Sequence, residues 1–129
     1  RDPMMLIDES DALATLTAAS DAYERALHHN DLAALDTLFW EDVRTIRFGA
    51  RENLHGIEEI RAFRMARPGG APARENLRRD VTLFGPDHGH CAIEFRYRDS
   101  GVVGRQTQMW ARIDGAWRVV AAHVSLLAA

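Results

Sequence analysis

Two glutamines and a tryptophan share one face of an extended run near the carboxyl-terminal end of the chain. They are Gln106, Gln108 and Trp110, and alternate side chains of a strand point to the same side of a sheet. A solvent-facing row more often carries lysine, glutamate or threonine, so this row is typical of a half-buried polar floor. Amide groups in such a floor can bind the carboxylate or amide of a small ligand. We therefore predict that these three residues bind one.

Two further residues are candidates for proton transfer and so for a catalytic role. Glu94 lies in the middle of an apolar extended run, where a carboxylate is costly unless it is paired. It is a candidate general base, and a buried ion pair with Arg96 or Arg105 is the alternative. His123 is a candidate general acid or base, because the unperturbed imidazole group of histidine changes charge near neutral pH. A histidine in the core or in an interface is the alternative there.

Arginine supplies all 16 basic side chains, and lysine is absent. The planar guanidinium group suits two-point contact with a carboxylate or an amide. Candidates for the wall of a ligand pocket are Arg47 (or Arg44, on the opposite face of its strand), Arg64 and Arg96. Tyr23 lies on the apolar stripe of the first helix, so its hydroxyl could reach the same pocket. For each arginine, the alternative is an ordinary role at the surface.

Metal and cofactor chemistry have little support in the sequence. The pairs His28-His29 and His88-x-His90 are predicted at a helix end and in a turn. No cysteine or carboxylate stands at ligand spacing to complete either pair. A glycine-rich phosphate loop is also absent. We therefore expect neither a metal nor a cofactor.

Length and composition indicate one domain, expected over residues 4–129, with Arg1–Pro3 as a remnant of cloning. The chain has 129 residues, 47% of them hydrophobic, and a formal net charge of −3. No basic stripe indicates nucleic-acid binding, and no apolar run of about 20 residues indicates a membrane span. Cys91 is the only cysteine, so we expect a buried thiol and a reducing, cytoplasmic location.

The elements that carry these side chains alternate between helical and extended periodicity. The Asp114-Gly115 pair between two extended runs is a strong hairpin signal. Helical spacing covers 8–28, a shorter stretch from Asn30, and 57–67; extended runs cover 43–48, 51–54, 77–84, 90–98 and both arms of the hairpin between 104 and 125. Helices grouped on one side of a long sheet make an α+β fold. We predict a cone-shaped barrel, in which a strongly curved antiparallel sheet packs on three N-terminal and middle helices.

Several short stretches match a family pattern when they are taken in order. They are Tyr23–Leu27, Leu38–Trp40, Arg47–Gly49, Glu52–Leu54 with Gly56, Ile60–Arg64, Glu94-Phe95, Gly104–Gln106 with Gln108 and Trp110, and Trp117–Ser125. This order and spacing resembles the nuclear transport factor 2-like (cystatin-like, SnoaL-like) superfamily, and within it the AtzH-like group, which includes the oxalurate catabolism protein HpxZ. The resemblance implies a cone-shaped α+β domain that forms a homodimer through the outer face of its sheet. It also implies a setting in the breakdown of small ureide-type compounds.

Three functions are open on the sequence alone. The first is binding of a small polar or anionic ligand in ureide or oxalurate-type catabolism, as a hydrolase or as an accessory to an amidohydrolase. Arginines would then hold a carboxylate, and the glutamines would hold amides. The second is a proton-transfer enzyme of the ketosteroid isomerase or cyclase type, with Glu94 and Tyr23 as acid and hydroxyl donor. The third is a non-catalytic oligomerisation module with an empty pocket.

Overall fold

Three helices and six strands make up residues 4–128, the part of the chain described by the computed structural model. In chain order they are α1 (Ser10–His28), α2 (Leu32–Leu38), β1 (Ile46–Phe48), β2 (Asn53–His55), α3 (Ile57–Ala66), β3 (Arg74–Phe84), β4 (His88–Tyr97), β5 (Val103–Ile113) and β6 (Ala116–Leu126). Each expected element is present, although β1 is shorter and β3 begins earlier than the periodicity predicts. Residues 1–3, expected to be a cloning remnant, lie outside the described residues.

Two acidic residues fix the start of α1. The Glu9 carboxylate caps the helix by accepting hydrogen bonds from the backbone N–H groups of Asp11 and Ala12, at 3.2 and 2.9 Å. The Asp8 carboxylate accepts a hydrogen bond from the Leu83 N–H at 2.8 Å. The cap satisfies helix donors that have no partner within the helix, and the second contact ties the helix to β3. Together these contacts fix the start of α1 next to β3.

All six strands belong to one sheet, in the order β2-β1-β6-β5-β4-β3. The expected α+β fold is confirmed, with one correction: β1 and β6 are parallel, so the sheet is mixed, and it does not close into a complete barrel. A parallel pair needs a long crossover, which the chain between β1 and β6 provides. The helices contact the sheet with α1 on β3, α2 on β6, and α3 on β1 and β2.

A β-bulge in β6 decides which way its last residues point. The pairing of β5 with β6 shifts register, and Val120 is the extra residue at the shift. An extra residue reverses the alternation of side chains along a strand. Val119 and Ala122 are consequently both buried, whereas His123 is exposed on the outer face of the sheet.

The inner face of the sheet is buried beneath the helices. The predicted inward row on β5 is confirmed, because Gln106, Gln108 and Trp110 are only 2%, 1% and 1% exposed. The core around this row contains Leu16, Tyr23, Leu35, Phe39, Ile57, Ile60, Leu83, Cys91, Ile93, Phe95, Trp117 and Val119. Two amide side chains within an apolar core need hydrogen-bond partners, so their surroundings identify where a site can form.

Candidate functional site

One small cavity lies between the inner face of the sheet and the carboxyl-terminal end of α3, and we call it the inner cavity. Its volume is about 40 Å³, which is room for about three water molecules. It is lined by Tyr23, Leu27, Arg47, Arg67, Ala71, Pro72, Arg74, Tyr97, Gln106 and Val124. Of the residues predicted to bind a ligand, Tyr23, Arg47 and Gln106 therefore meet here.

Tyr23 and Gln106 form the polar floor of the inner cavity. They are 4% and 2% exposed, and the Gln106 Nε2 donates a hydrogen bond to the Tyr23 hydroxyl oxygen at 3.3 Å. Tyr23 points inward because the buried stripe of α1 packs on the core, and Gln106 belongs to the inward row of β5. Since the hydroxyl oxygen accepts from Gln106, its own O–H remains available to donate to a ligand.

Three arginines in the wall of the inner cavity differ in how their charge is compensated. Arg47 pairs with Glu52 at 2.9 Å, and Arg74 pairs with Glu24 at 3.2 Å. Within the described residues, Arg67 forms no salt bridge, and its buried Nε has no hydrogen-bond partner. The buried Nε of Arg74 also has no partner. Because buried N–H groups are almost always paired, these two donors mark where an acceptor atom of a ligand would bind.

Like charges are crowded around this wall. Burial lowers the pKa of Arg67, and the neighbouring Arg47 guanidinium lowers it further. Burial also lowers the pKa of Arg64, with Arg47 again opposing its positive charge. Arginine nevertheless stays protonated in proteins, so the lowered pKa values reflect first the poor solvation of these charges and then repulsion from Arg47. A bound anion would relieve that repulsion.

Three predicted binding residues are buried but do not line the inner cavity. Arg64 is 5% exposed, pairs with Asp36 at 3.2 Å and lies over the Phe39 ring at 4.2 Å. The Trp110 indole N–H donates to the Gln108 Oε1 at 3.2 Å, and the buried Gln108 Nε2 has no partner among the described residues. None of these three residues lines the cavity, so each would affect ligand binding only through the residues that do.

Glu94, Arg96 and His123 do not belong to the inner cavity, contrary to expectation. All three are exposed on the outer face of the sheet. The apolar residues of β4 take the inward positions, so Glu94 lies outside, opposite Arg105 in register, and Arg96 pairs with Glu75 at 3.6 Å. The bulge in β6 turns His123 outward. The structure therefore places neither of the two candidate proton-transfer residues at the inner cavity, and for His123 this agrees with the alternative of a position in an interface.

Arg67, Arg74 and Tyr97 line the inner cavity although the sequence did not single them out. Arg67 and Arg74 stand at the two ends of the Pro-Gly-Gly-containing segment that follows α3. A guanidinium at each end of a loop beside a pocket is a signal that could have found them. Tyr97 continues the inward alternation of β4 beyond Phe95.

Residues 67–73, which we call the covering segment, separate the inner cavity from a larger outer cleft. The cleft measures about 490 Å³ and shares Leu27, Ala71, Pro72 and Arg74 with the inner cavity. Another surface groove, of about 520 Å³, runs between α1 and β3. Two of its arginines are paired within the protein, Arg78 with Asp80 and Arg79 with Asp21. Of the three buried guanidinium Nε donors without a hydrogen-bond partner among the described residues, those of Arg67 and Arg74 flank the covering segment, and that of Arg112 lies elsewhere, near Asp87.

Two other kinds of site receive no support from residues 4–128. No group of histidine, cysteine or carboxylate side chains in that range could hold a metal ion. No helix there is long and apolar enough to cross a membrane.

The fold and its buried cavity define the class: an α+β domain of the nuclear transport factor 2-like, or cystatin-like, type. A nuclear transport factor 2-like superfamily protein from Salmonella enterica has a similar structure, with 21% identity, 93% coverage of this chain, 94% coverage of that chain and a TM-score of 0.76. At this identity the likeness shows the fold alone.

The family is shown by the sequence. The AtzH-like family model matches residues 5–129, so the chain belongs to the AtzH-like family. A DUF3225-family protein from Pectobacterium atrosepticum is 48% identical, with 97% of this chain and 100% of that chain covered and a TM-score of 0.92. A cystatin-like fold protein from Burkholderia xenovorans is 41% identical, with 98% and 99% covered and a TM-score of 0.92. No curated protein matches the chain.

Proposed function

We propose that the inner cavity binds a small anionic ligand in which a carboxylate adjoins an amide or carbonyl group, as in oxalurate and related ureides. Donors dominate the polar groups of the cavity: the Tyr23 hydroxyl, and the guanidinium groups of Arg47, Arg67 and Arg74. Hydrogen bonds from charged donors to a carboxylate are about twice as strong as neutral ones. The observation that carries the proposal is Arg67, a half-buried guanidinium without a carboxylate partner in the described chain.

The lining residues fit binding or charge stabilisation better than acid–base catalysis. None of them is a carboxylate, a histidine or a cysteine, so none would take up a proton near neutral pH. A set of fixed donors can stabilise negative charge that builds up on a bound substrate. This favours a ligand-binding accessory of an amidohydrolase, or a hydrolase whose base comes from elsewhere. It does not favour a ketosteroid isomerase-like mechanism, which needs a carboxylate base in the pocket.

The size of the inner cavity limits the ligand. About 40 Å³ accommodates a molecule of only a few non-hydrogen atoms, since it holds about three waters. Oxalurate, and also compounds of six non-hydrogen atoms such as oxamate, would require movement of the covering segment, whose Gly69 and Gly70 have φ values of 69° and 76°. Glycine adopts such left-handed conformations at little cost, which makes these residues suitable hinges for that movement.

Replacing Arg47 by methionine is expected to abolish most of the thermal stabilisation that a small carboxylate provides. A ligand that binds only the folded state raises the unfolding midpoint by mass action. Loss of one hydrogen bond to a charged group, about 1.5–3 kcal/mol, weakens binding about ten- to a hundredfold. Thermal unfolding with millimolar oxamate and oxalurate measures the effect.

The matched control for that experiment is Arg44→Met, because the Arg44 side chain is 74% exposed and pairs with Asp42 outside the cavity. This variant should keep the stabilisation of the wild type. If neither compound stabilises the wild type, or if both variants respond equally, the proposed function is ruled out.

We further infer that two copies of the chain associate through the outer face of the sheet, as the family resemblance implies. Met109 is 56% exposed there, beside a depression of about 260 Å³ that Phe48 and His123 help to line.

Met109→Glu should therefore convert a dimer into a monomer in light scattering coupled to size exclusion. Met65→Glu, at a 77% exposed position on α3, should not. A monomeric wild type at micromolar concentration would contradict the inference.

We also propose a metabolic setting for the protein. Breakdown of small nitrogenous compounds is what the family resemblance implies, and a carboxylate-binding cavity is compatible with it. The cytoplasmic location is a prediction from the single cysteine, Cys91, which is buried. A growth assay on ureides as sole nitrogen source, with the gene deleted, would test the setting.

A further inference from the structure

We infer that the ligand of the inner cavity carries a single negative charge and that Arg67 is the residue that selects this charge. The inference rests on the proposed function and adds the charge class of the ligand. It starts from the charge balance of the cavity wall. Three guanidinium groups line the cavity, and no carboxylate does. Glu52 and Glu24 compensate Arg47 and Arg74 from behind.

Among the described residues Arg67 therefore represents one positive charge without a salt-bridge partner, and Glu52, the partner of Arg47, attracts it only at longer range. Its guanidinium lies 5.1 Å from the centre of the Phe63 ring, and its Nε is buried without a hydrogen-bond partner. Arg67 also follows the last turn of α3, where a positive charge complements the helix dipole. Its Nε is a buried donor that lacks an acceptor among the described residues, and the residue as a whole is half-buried at the cavity wall.

Ligands of different charge differ in how well they would pair with the cations of the cavity wall. A neutral ligand would leave Arg67 without a counter-ion, and a singly charged ligand would pair with it. A doubly charged ligand would need a second free cation, but Arg47 and Arg74 already hold carboxylates. Burying a charge without a partner is costly. The uncharged end of a singly charged ligand has the hydroxyl of Tyr23 as its donor.

Three compounds of nearly identical shape separate these cases. Oxamide, oxamate and oxalate have the same number of non-hydrogen atoms, and at neutral pH they carry no charge, one negative charge and two negative charges. Isothermal titration of each into the wild-type protein at pH 7 gives their affinities. We expect oxamate to bind tighter than the other two by about tenfold or more, the effect of one well-placed charged hydrogen bond.

Two variants shift the charge of the wall in opposite directions. Arg67→Gln removes the uncompensated charge and should erase the preference for oxamate over oxamide. Glu52→Gln removes the partner of Arg47 and leaves Arg67 in place, so oxalate should gain at least about tenfold relative to oxamate. Circular dichroism establishes that each variant is folded. If Arg67→Gln does not fold, Glu52→Gln still decides the question.

The outcomes distinguish this inference from the proposed function. Oxalate binding as tightly as oxamate to the wild type, or an unchanged ranking in Glu52→Gln, would overturn the selection of a single charge while leaving anion binding intact. Absence of binding by all three compounds and by oxalurate would overturn the proposed function itself. The expected ranking, with the opposite shifts in the two variants, would establish Arg67 as the residue that determines ligand charge.

Discussion

Trp110→Ala is expected to lower the free energy of unfolding by about 3–5 kcal/mol, as large-to-small substitutions of buried aromatic residues do. Trp110 is 1% exposed, and its indole N–H donates to the Gln108 Oε1 at 3.2 Å. The substitution would open a cavity and also leave the carbonyl oxygen of a buried amide without its donor. Urea denaturation followed by circular dichroism measures the loss.

Two companion variants separate the packing contribution of Trp110 from its hydrogen bond. Trp110→Phe keeps a ring but removes the donor, so it should cost about 1–3 kcal/mol from the unpaired Gln108 oxygen. Adding Gln108→Leu removes that unpaired oxygen and should recover part of the loss. Met65→Ala, at a position 77% exposed, should change stability by no more than about 0.5 kcal/mol. A Trp110→Ala loss as small as that would contradict the burial of the inward row.

Asp36→Ala is the second substitution with a large expected effect, because it leaves the buried Arg64 without its counter-ion. Arg64 is 5% exposed, and its Nη1 lies 3.2 Å from the Asp36 Oδ1. Burial already lowers the pKa of Arg64, because it disfavours the charged guanidinium. Breaking a fully buried pair costs about 3–5 kcal/mol. We expect about 2–3 kcal/mol here, because Asp36 is 33% exposed and water screens part of the interaction.

Replacing both partners should be less damaging than replacing Asp36 alone. In Asp36→Ala/Arg64→Met no unpaired charge remains, and the methionine can pack on Phe39, over which the guanidinium now lies at 4.2 Å. Asp36 also contacts Arg61 at 3.7 Å. Glu58→Ala, which removes another partner of Arg61, at 3.2 Å, is therefore the control for that contribution. A double variant less stable than Asp36→Ala would show that the Arg64 charge is not the source of the loss.

The inward direction of Gln106 was predicted correctly, but the burial of Glu94 was not. The first prediction depended only on alternation within a strand, and the second also depended on what covers the strand. Gln106 was placed correctly because its alternation with outward-facing residues lies within a single strand. For Glu94 the predicted alternation of side chains was also correct, but the free-energy cost of its carboxylate was assessed as if both faces of β4 were buried. The outer face is exposed, and Glu94 lies opposite Arg105 there, so its charge requires no buried partner.

The direction of the His123 side chain could not be predicted from the sequence, for a different reason. Its direction depends on one extra residue, Val120, in the middle of β6. A bulge reverses every later side chain, and nothing in the run Trp117–Ser125 marks where it falls. The apolar residues on both sides of the bulge satisfy either register equally well, so only packing against β5 and the helices decides it.

By itself, the sequence determined the α+β fold, its elements and the inward amide row, since these follow from periodicity along the chain, and it indicated the family through short stretches matched in order. Only the tertiary structure decided that the sheet is mixed and open and which arginines meet at the inner cavity. Arg67 and Arg74 flank one segment, and Glu52 is close to Arg47 in sequence, but Arg47, Arg67 and Glu24 belong to different parts of the fold. The charge that remains at Arg67 depends on how these parts pack together, and local sequence pattern carries no information about that packing.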